Sequence, residues 1–167
     1  MEENEKLFLS LINQHRAIIH KISKMYMNNS EDQQDLFQEI VLQLWKAYPT
    51  FKGNSKFSTW LYRVALNTAL VYFKKAYRKI DRTPLEESID IIDLNDSEAK
   101  EEKLSYLYKA VQELNAVEKA LIFLFLENQS HREISENLGI SEINARVKLN
   151  RTKEKLQIII KKNGYEF

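Results

Sequence analysis

Cysteine is absent from the 167 residues, glycine occurs three times and proline twice. Without cysteine there is no disulfide, no thiolate metal ligand and no thiol nucleophile, a usage that suits a reducing compartment. Five turn-formers in 167 residues is about 3%, against a usual share of roughly 12%. Such a chain lacks the repeated tight turns of hairpin arrays, sandwiches and barrels, so an all-α fold is expected. Long apolar runs are missing too. The longest, from Ala120 to Leu126, holds seven residues where a membrane span needs roughly 20. The opening Met1-Glu2-Glu3 is acidic where a secretory signal would be basic. Together these absences predict a cytoplasmic, helical protein without membrane insertion.

Net charge is also scarce: 25 basic against 24 acidic residues leave +1. The sum conceals a segregation. Residues 1–80 carry 12 Lys/Arg against 7 Asp/Glu, a net of +5, and residues 81–103 carry 3 against 9, a net of −6. Residues 104–167 carry 10 against 8, a net of +2. The acidic block has no aromatic residue, and dense like charge with little apolar surface does not repay the entropy of ordering. The sequence therefore divides into a helical domain over 1–80, a flexible acidic linker over 81–103 and a second helical domain over 104–167.

In the first domain, Leu7, Leu11, Ile18, Ile19, Ile22, Met25 and Tyr26 follow helical spacing and predict one helix from Asn4 to Met27. Ser30 is placed to cap a second helix, with Glu31, Asp32 and Asp35 favourably near its positive end. That helix turns Leu36, Phe37, Ile40, Val41, Leu44 and Trp45 inward and stops near Tyr48-Pro49. A third helix starts at Lys56 or Phe57 and buries a stripe of Trp60, Leu61, Val64, Ala65, Thr68 and Ala69. Arg63, Asn67, Lys74 and Arg78 share a different face, where cations and an amide suit phosphates and base edges. The loop before it brings backbone polar groups between Phe51 and Phe57, a setting that can receive an unstacked base.

The second domain opens with an amphipathic helix carrying Leu104, Leu107, Tyr108, Val111 and Leu114, then a central helix from Glu118 to Glu127. Ser130 and Glu133 have the capping-box spacing at the start of a short helix. Gly139-Ile140-Ser141 forms a turn, and Ser141 caps a last helix with Arg146, Lys148, Arg151, Lys153 and Lys155 outward. Ile143, Val147, Leu149 and Leu156 are its expected core positions. Helix, glycine turn, helix is the helix-turn-helix plan.

Two stretches carry a resemblance. Asp35-Leu36-Phe37-Gln38-Glu39, Trp45 and the run from Phe51 through Trp60-Leu61-Tyr62-Arg63-Val64-Ala65-Leu66-Asn67 resemble the promoter-melting domain of bacterial extracytoplasmic-function sigma factors of the sigma-70 family. The string Ser130 to Ser141, with Ala145-Arg146-Val147-Lys148-Leu149-Asn150-Arg151, is similar to the −35-reading domain of the same family. The resemblance implies two small domains, a three-helix promoter-melting domain and a helix-turn-helix domain, in a factor that binds core RNA polymerase and directs transcription initiation. By it, Asp35, Leu36, Gln38, Glu39 and Leu42 would dock on the largest subunit of the polymerase. Phe51, Lys52, Gly53, Asn54, Ser55, Lys56 and Phe57 would capture a flipped base of the −10 element. Arg63 and Asn67 would read or brace that element, with Lys74, Lys75 and Arg78 on its phosphates. Ser141, Asn144, Arg146, Lys148, Asn150, Arg151 and Lys155 would meet the −35 duplex, Arg being the preferred reader of guanine and Lys148 and Lys155 serving equally as phosphate clamps. The chain departs from the family at Asn115-Ala116-Val117, where prolines are usual, and at Val147, where a small polar residue is usual. An anti-sigma protein is an expected partner. The acidic linker could serve as an RNA-like polyanion in the polymerase cleft or as a plain spacer.

An enzyme is not indicated. His15, His20 and His131 are the only histidines, and no Ser/His/Asp order, metal-ligand set or glycine-rich phosphate loop accompanies them. No catalytic residue, cofactor or metal is expected. The competing expectation is a stand-alone helix-turn-helix transcriptional regulator with a helical sensor or dimerisation domain, which would hold duplex DNA without polymerase.

Overall fold

The computed structural model describes residues 2–80 and 98–164, and these fall in two compact units divided between residues 83 and 84. Helices and short turns account for the described residues, with no strand among them. The all-α expectation therefore holds, whereas linker residues 81–97 lie outside the described residues. Residues 98–103 of the expected linker belong to a helix instead.

The first unit holds α1 (Glu2–Gln14), α2 (Arg16–Tyr26), α3 (Ser30–Ala47), a single 3-10 turn (Tyr48–Thr50) and α4 (Phe57–Ile80). The expected single helix over 4–27 is thus two. At His15 the backbone leaves helical geometry (φ −110°, ψ 14°), and the imidazole Nδ1–H donates to the Leu11 carbonyl at 2.8 Å. Its ring packs 5.2 Å from that of Phe57. The buried residues Phe8, Ile12, Ile19 and Ile22 stay in helical phase across the break, so hydrophobic spacing does not reveal it. Leu7, by contrast, faces solvent.

Asn29, not Ser30, caps α3. Its side-chain oxygen accepts from the Asp32 N–H at 2.8 Å while its amide donates to the Asp32 carboxylate at 2.7 Å. The amide thus satisfies an orphan N–H and holds the acid that complements the helix dipole. The core of this unit is built from Ile19, Ile22, Leu36, Ile40, Leu44, Leu61, Ala65 and Ala69, with Tyr62 and Leu66 buried beside them. Trp45, expected inward, is exposed.

The second unit holds α5 (Glu98–Gln112), α6 (Ala116–Leu126), α7 (His131–Leu138) and α8 (Glu142–Lys162). Asn115 and Glu118 form a full capping box on α6, and Ser130 and Glu133 form another on α7. Glycine closes α7: Gly139 adopts φ +68°, a left-handed conformation that strains any side-chain-bearing residue. Ser141 then accepts from the Asn144 N–H to start α8. The α6 helix is central, as its composition implies, yet Phe125 and Leu126 at its C-terminal end are exposed.

Lys119 is buried in α6 at 1% exposure. Its Nζ lies 3.4 Å from the Gln112 Oε1, and burial pulls the ammonium down to about 8 from its ordinary 10.5. Burial likewise pushes the Tyr26 hydroxyl of the first unit well above its usual range. Both are structural consequences of placing a polar group among apolar neighbours.

Candidate nucleic-acid interface

In the first unit the site begins with the loop from 51 to 56. The Phe51 and Phe57 rings meet edge to face at 5.7 Å, and each lies within 5.5 Å of the Trp60 ring. Tyr48 extends the cluster to Trp60, and Phe8 joins it to Trp45. The two phenylalanines are thus half-buried anchors of the loop ends, more occupied with one another than a free stacking platform would be. Between them Lys52, Gly53, Asn54, Ser55 and Lys56 are exposed, and Gly53 has φ +74° with open space around it.

Along α4, Arg63, Asn67, Lys74 and Lys75 are exposed. Arg78 belongs to the same helix, but its side chain lies outside the described residues. Val71, one turn beyond Asn67, is exposed within this stripe and interrupts its polar character.

A second surface lies on α3. Asp35, Gln38 and Leu42 are exposed and Glu39 is half-buried, its Oε1 accepting from Gln43 at 2.9 Å. Leu36 is 0% exposed, so its part is to hold α3 in the core and not to touch a partner. The Tyr72 hydroxyl is pushed up, first by burial and then by Asp35, Asp32 and Glu39. The acids of α3 therefore set a negative field against the neighbouring turn of α4. Beside them α1 and α3 enclose an apolar groove of about 410 Å³ lined by Phe8, Leu9, Phe37, Val41, Leu42 and Trp45. Its Leu9 and Trp45 walls escape sequence reading because exposed apolar residues and core residues share the same spacing.

In the second unit α7, the Gly139 turn and α8 form the helix-turn-helix. Asn144, Arg146, Lys148, Asn150 and Arg151 are exposed, as is Ser141 at the cap. Lys155 has another engagement. Its Nζ meets the Glu118 Oε1 at 2.9 Å, and that same oxygen accepts from the Asn115 N–H at 3.2 Å. Lys155 thereby ties α8 to the start of α6 instead of standing free for phosphate. The expected core positions Ile143 and Val147 prove to be on the surface, 76% and 40% exposed. The buried face of α8 is formed by Ala145, Leu149, Thr152, Leu156, Ile159 and Ile160. Ala145 and Thr152 hold the inward positions instead, and the Thr152 hydroxyl meets its hydrogen-bonding need within the helix by donating to the Lys148 carbonyl at 2.7 Å.

Comparison with known proteins fits this geometry. Residues 11–79 match the model of Sigma-70 region 2 and residues 104–156 that of Sigma-70, region 4, together most of the chain. The ECF RNA polymerase sigma factor SigX of Bacillus subtilis is 25% identical over 146 residues, covering 83% of this chain and 75% of its own length. The ECF RNA polymerase sigma-E factor of Escherichia coli is 30% identical over 96 residues, 58% of this chain and 48% of its own. Among solved structures, the sigma factor RpoE of Bartonella quintana, crystallised with the anti-sigma factor NepR, superposes with a TM-score of 0.76 at 18% identity. That match covers 93% of this chain and 98% of RpoE. CnrH, solved with the cytosolic domain of CnrY, gives a TM-score of 0.65 at 18% identity, covering 94% and 89%. The chain belongs to the extracytoplasmic-function sigma factors of the sigma-70 family. It is a DNA-binding factor that directs transcription initiation by RNA polymerase at promoters. No helix among the described residues is long and apolar enough to cross a membrane.

Proposed function

We propose that the two units divide promoter recognition between them and that neither performs catalysis. The exposed part of α3, with Asp35, Gln38, Glu39 and Leu42, docks on the largest subunit of core polymerase, and the adjoining apolar groove extends that contact. The loop carrying Lys52 to Lys56 receives a flipped base of the −10 element, while Arg63, Asn67, Lys74 and Lys75 brace the strand. The α8 helix enters the major groove at −35 with Asn144, Arg146, Lys148, Asn150 and Arg151. Residues 81–97 and their acids bridge the two, as a spacer or as an occupant of the polymerase's cationic cleft. The protein acts in the cytoplasm, where core polymerase is, and an anti-sigma protein covering the α3 surface holds it inactive. Complexes of RpoE with NepR and of CnrH with CnrY supply the analogy for that partner.

One observation carries this reading. Apart from the two half-buried phenylalanines, every described residue assigned to DNA in either unit is exposed, although the helices that bear them also build the cores. The test is to mix the chain with core polymerase and follow open-complex formation on promoter fragments selected by the resulting holoenzyme. Opening that depends on the chain is expected. Stable duplex binding by the chain alone, with no holoenzyme formed, would instead mark a stand-alone regulator. Within the holoenzyme, Asn67→Ala should impair opening with assembly intact, and Gln38→Ala should impair assembly first.

A further inference from the structure

The exposed face of α8 is not uniformly polar. The helix buries Ala145, Leu149, Thr152 and Leu156, and at about 100° per residue the opposite side is centred on Val147. Ile143 lies one turn before it and Arg151 one turn after, so the three form a single row along the outermost line of the helix. Ile143 and Val147 thus place two aliphatic side chains on the outward face of the first turns of α8, as Ile158 does near its other end. Around them stand Asn144, Arg146, Lys148 and Asn150, all exposed. From residue 143 to 153 there are cations at Arg146, Lys148, Arg151 and Lys153 and no acid at all.

An occupant for this face must be polyanionic at its rim and apolar at its centre. Major-groove DNA meets both demands, because phosphates flank the groove and the thymine 5-methyl is the one apolar group on its floor. The position along the helix agrees, since the first turns of a recognition helix are those that reach base edges. Ile143 and Val147 are about 6 Å apart along the axis against about 3.4 Å per base step, so they would meet methyl groups one or two steps apart. Cytosine at such a position would lack the methyl and would set an N4 amino donor against a side chain unable to accept it.

We propose that Ile143 and Val147 are specificity residues that read thymine methyl groups within the −35 element. The proposal rests on the assignment of α8 to −35 DNA and adds to it a preference that depends on the thymine methyl itself, which hydrogen bonds to base edges do not sense.

The test uses holoenzyme assembled from the full chain and core polymerase. Promoters are first selected from a library randomised over the −35 region, and each thymine there, on either strand, is then replaced singly by deoxyuridine. One or two positions are expected where loss of the methyl weakens holoenzyme binding about three- to fivefold, the value of burying one such group. Ile143→Ser and Val147→Ser should each abolish the sensitivity at one position; both residues are exposed, so the fold is retained. Indifference to deoxyuridine throughout overturns the proposal, as does sensitivity that persists in both variants. Loss of core-polymerase binding in these variants also overturns it, because the row would then be a protein contact. Arg151→Ala separates the two levels. If −35 selectivity exists and falls in Arg151→Ala but no methyl sensitivity is found, only the present proposal fails. If no −35 selectivity emerges at all, the assignment of α8 fails with it.

Discussion

The two units hold their exposed functional segments by different means. In the second, side chains next to the backbone do it: Asn115 with Glu118, Ser130 with Glu133, Ser141, and the left-handed Gly139. In the first, the loop before α4 is held by rings, Phe51 and Phe57 against Trp60, while Lys52 to Lys56 project between them. Local caps fix a helix end to within a hydrogen bond, which suits a helix that must present side chains in a set order. Ring anchors fix only the ends of a loop and leave its middle with few contacts to lose. Segments of that kind open most readily, which agrees with the base capture proposed for this loop.

The largest effect that would sharpen this contrast concerns neighbours on α3. Leu36→Ala should cost about 2–5 kcal/mol and melt the first unit in denaturant titration, since the side chain is wholly buried. Leu42→Ala should leave stability within about 0.5 kcal/mol and weaken core-polymerase binding instead. If Leu36→Ala were as stable as the parent, the two-sided reading of α3 would be wrong.

Next is the second unit's buried lysine. The unfolded chain holds the Lys119 proton up to its ordinary 10.5, whereas the folded chain releases it at about 8. Between these values the unfolded state binds more protons, so stability should rise with pH across that window, by up to roughly 3 kcal/mol. Lys119→Met should flatten the rise in calorimetry of the full chain. An unchanged pH slope would show that the ammonium is not held out of water.

Caps come third. Asn115→Ala should destabilise the second unit by about 1 kcal/mol and leave the first unchanged, as read by hydrogen exchange. The most local effect is expected at the loop, where Gly53→Ala must adopt φ +74° at a cost of about 1–2 kcal/mol confined to a segment with few contacts. Its principal consequence should be slower promoter opening with −35 binding retained. Equal loss of both would contradict the separation of the two units' tasks.

Legibility in the sequence follows the same division. The Ser130 box, the Gly139 turn and the Ser141 cap lie within a few residues of one another, so their chemistry could be read directly. The Asn115 box is equally local, with the same three-residue spacing to Glu118, and it starts α6 without a proline. Tertiary facts were not legible. The break at His15 keeps the hydrophobic phase, and Ile143 and Val147 have the residue type of a core and the address of a surface. Leu36 reads as a contact residue because it lies among Asp35, Gln38 and Leu42, yet those neighbours are exposed and it is wholly buried. Lys155 reads as a free cation until Glu118 is brought beside it from 37 positions away.

That last contact has a consequence for cooperativity. A single oxygen of Glu118 accepts both the backbone N–H that begins α6 and the ammonium that projects from α8. The start of the central helix and the flank of α8 that carries Lys155 are therefore linked through one carboxylate, so fraying at either is felt at the other.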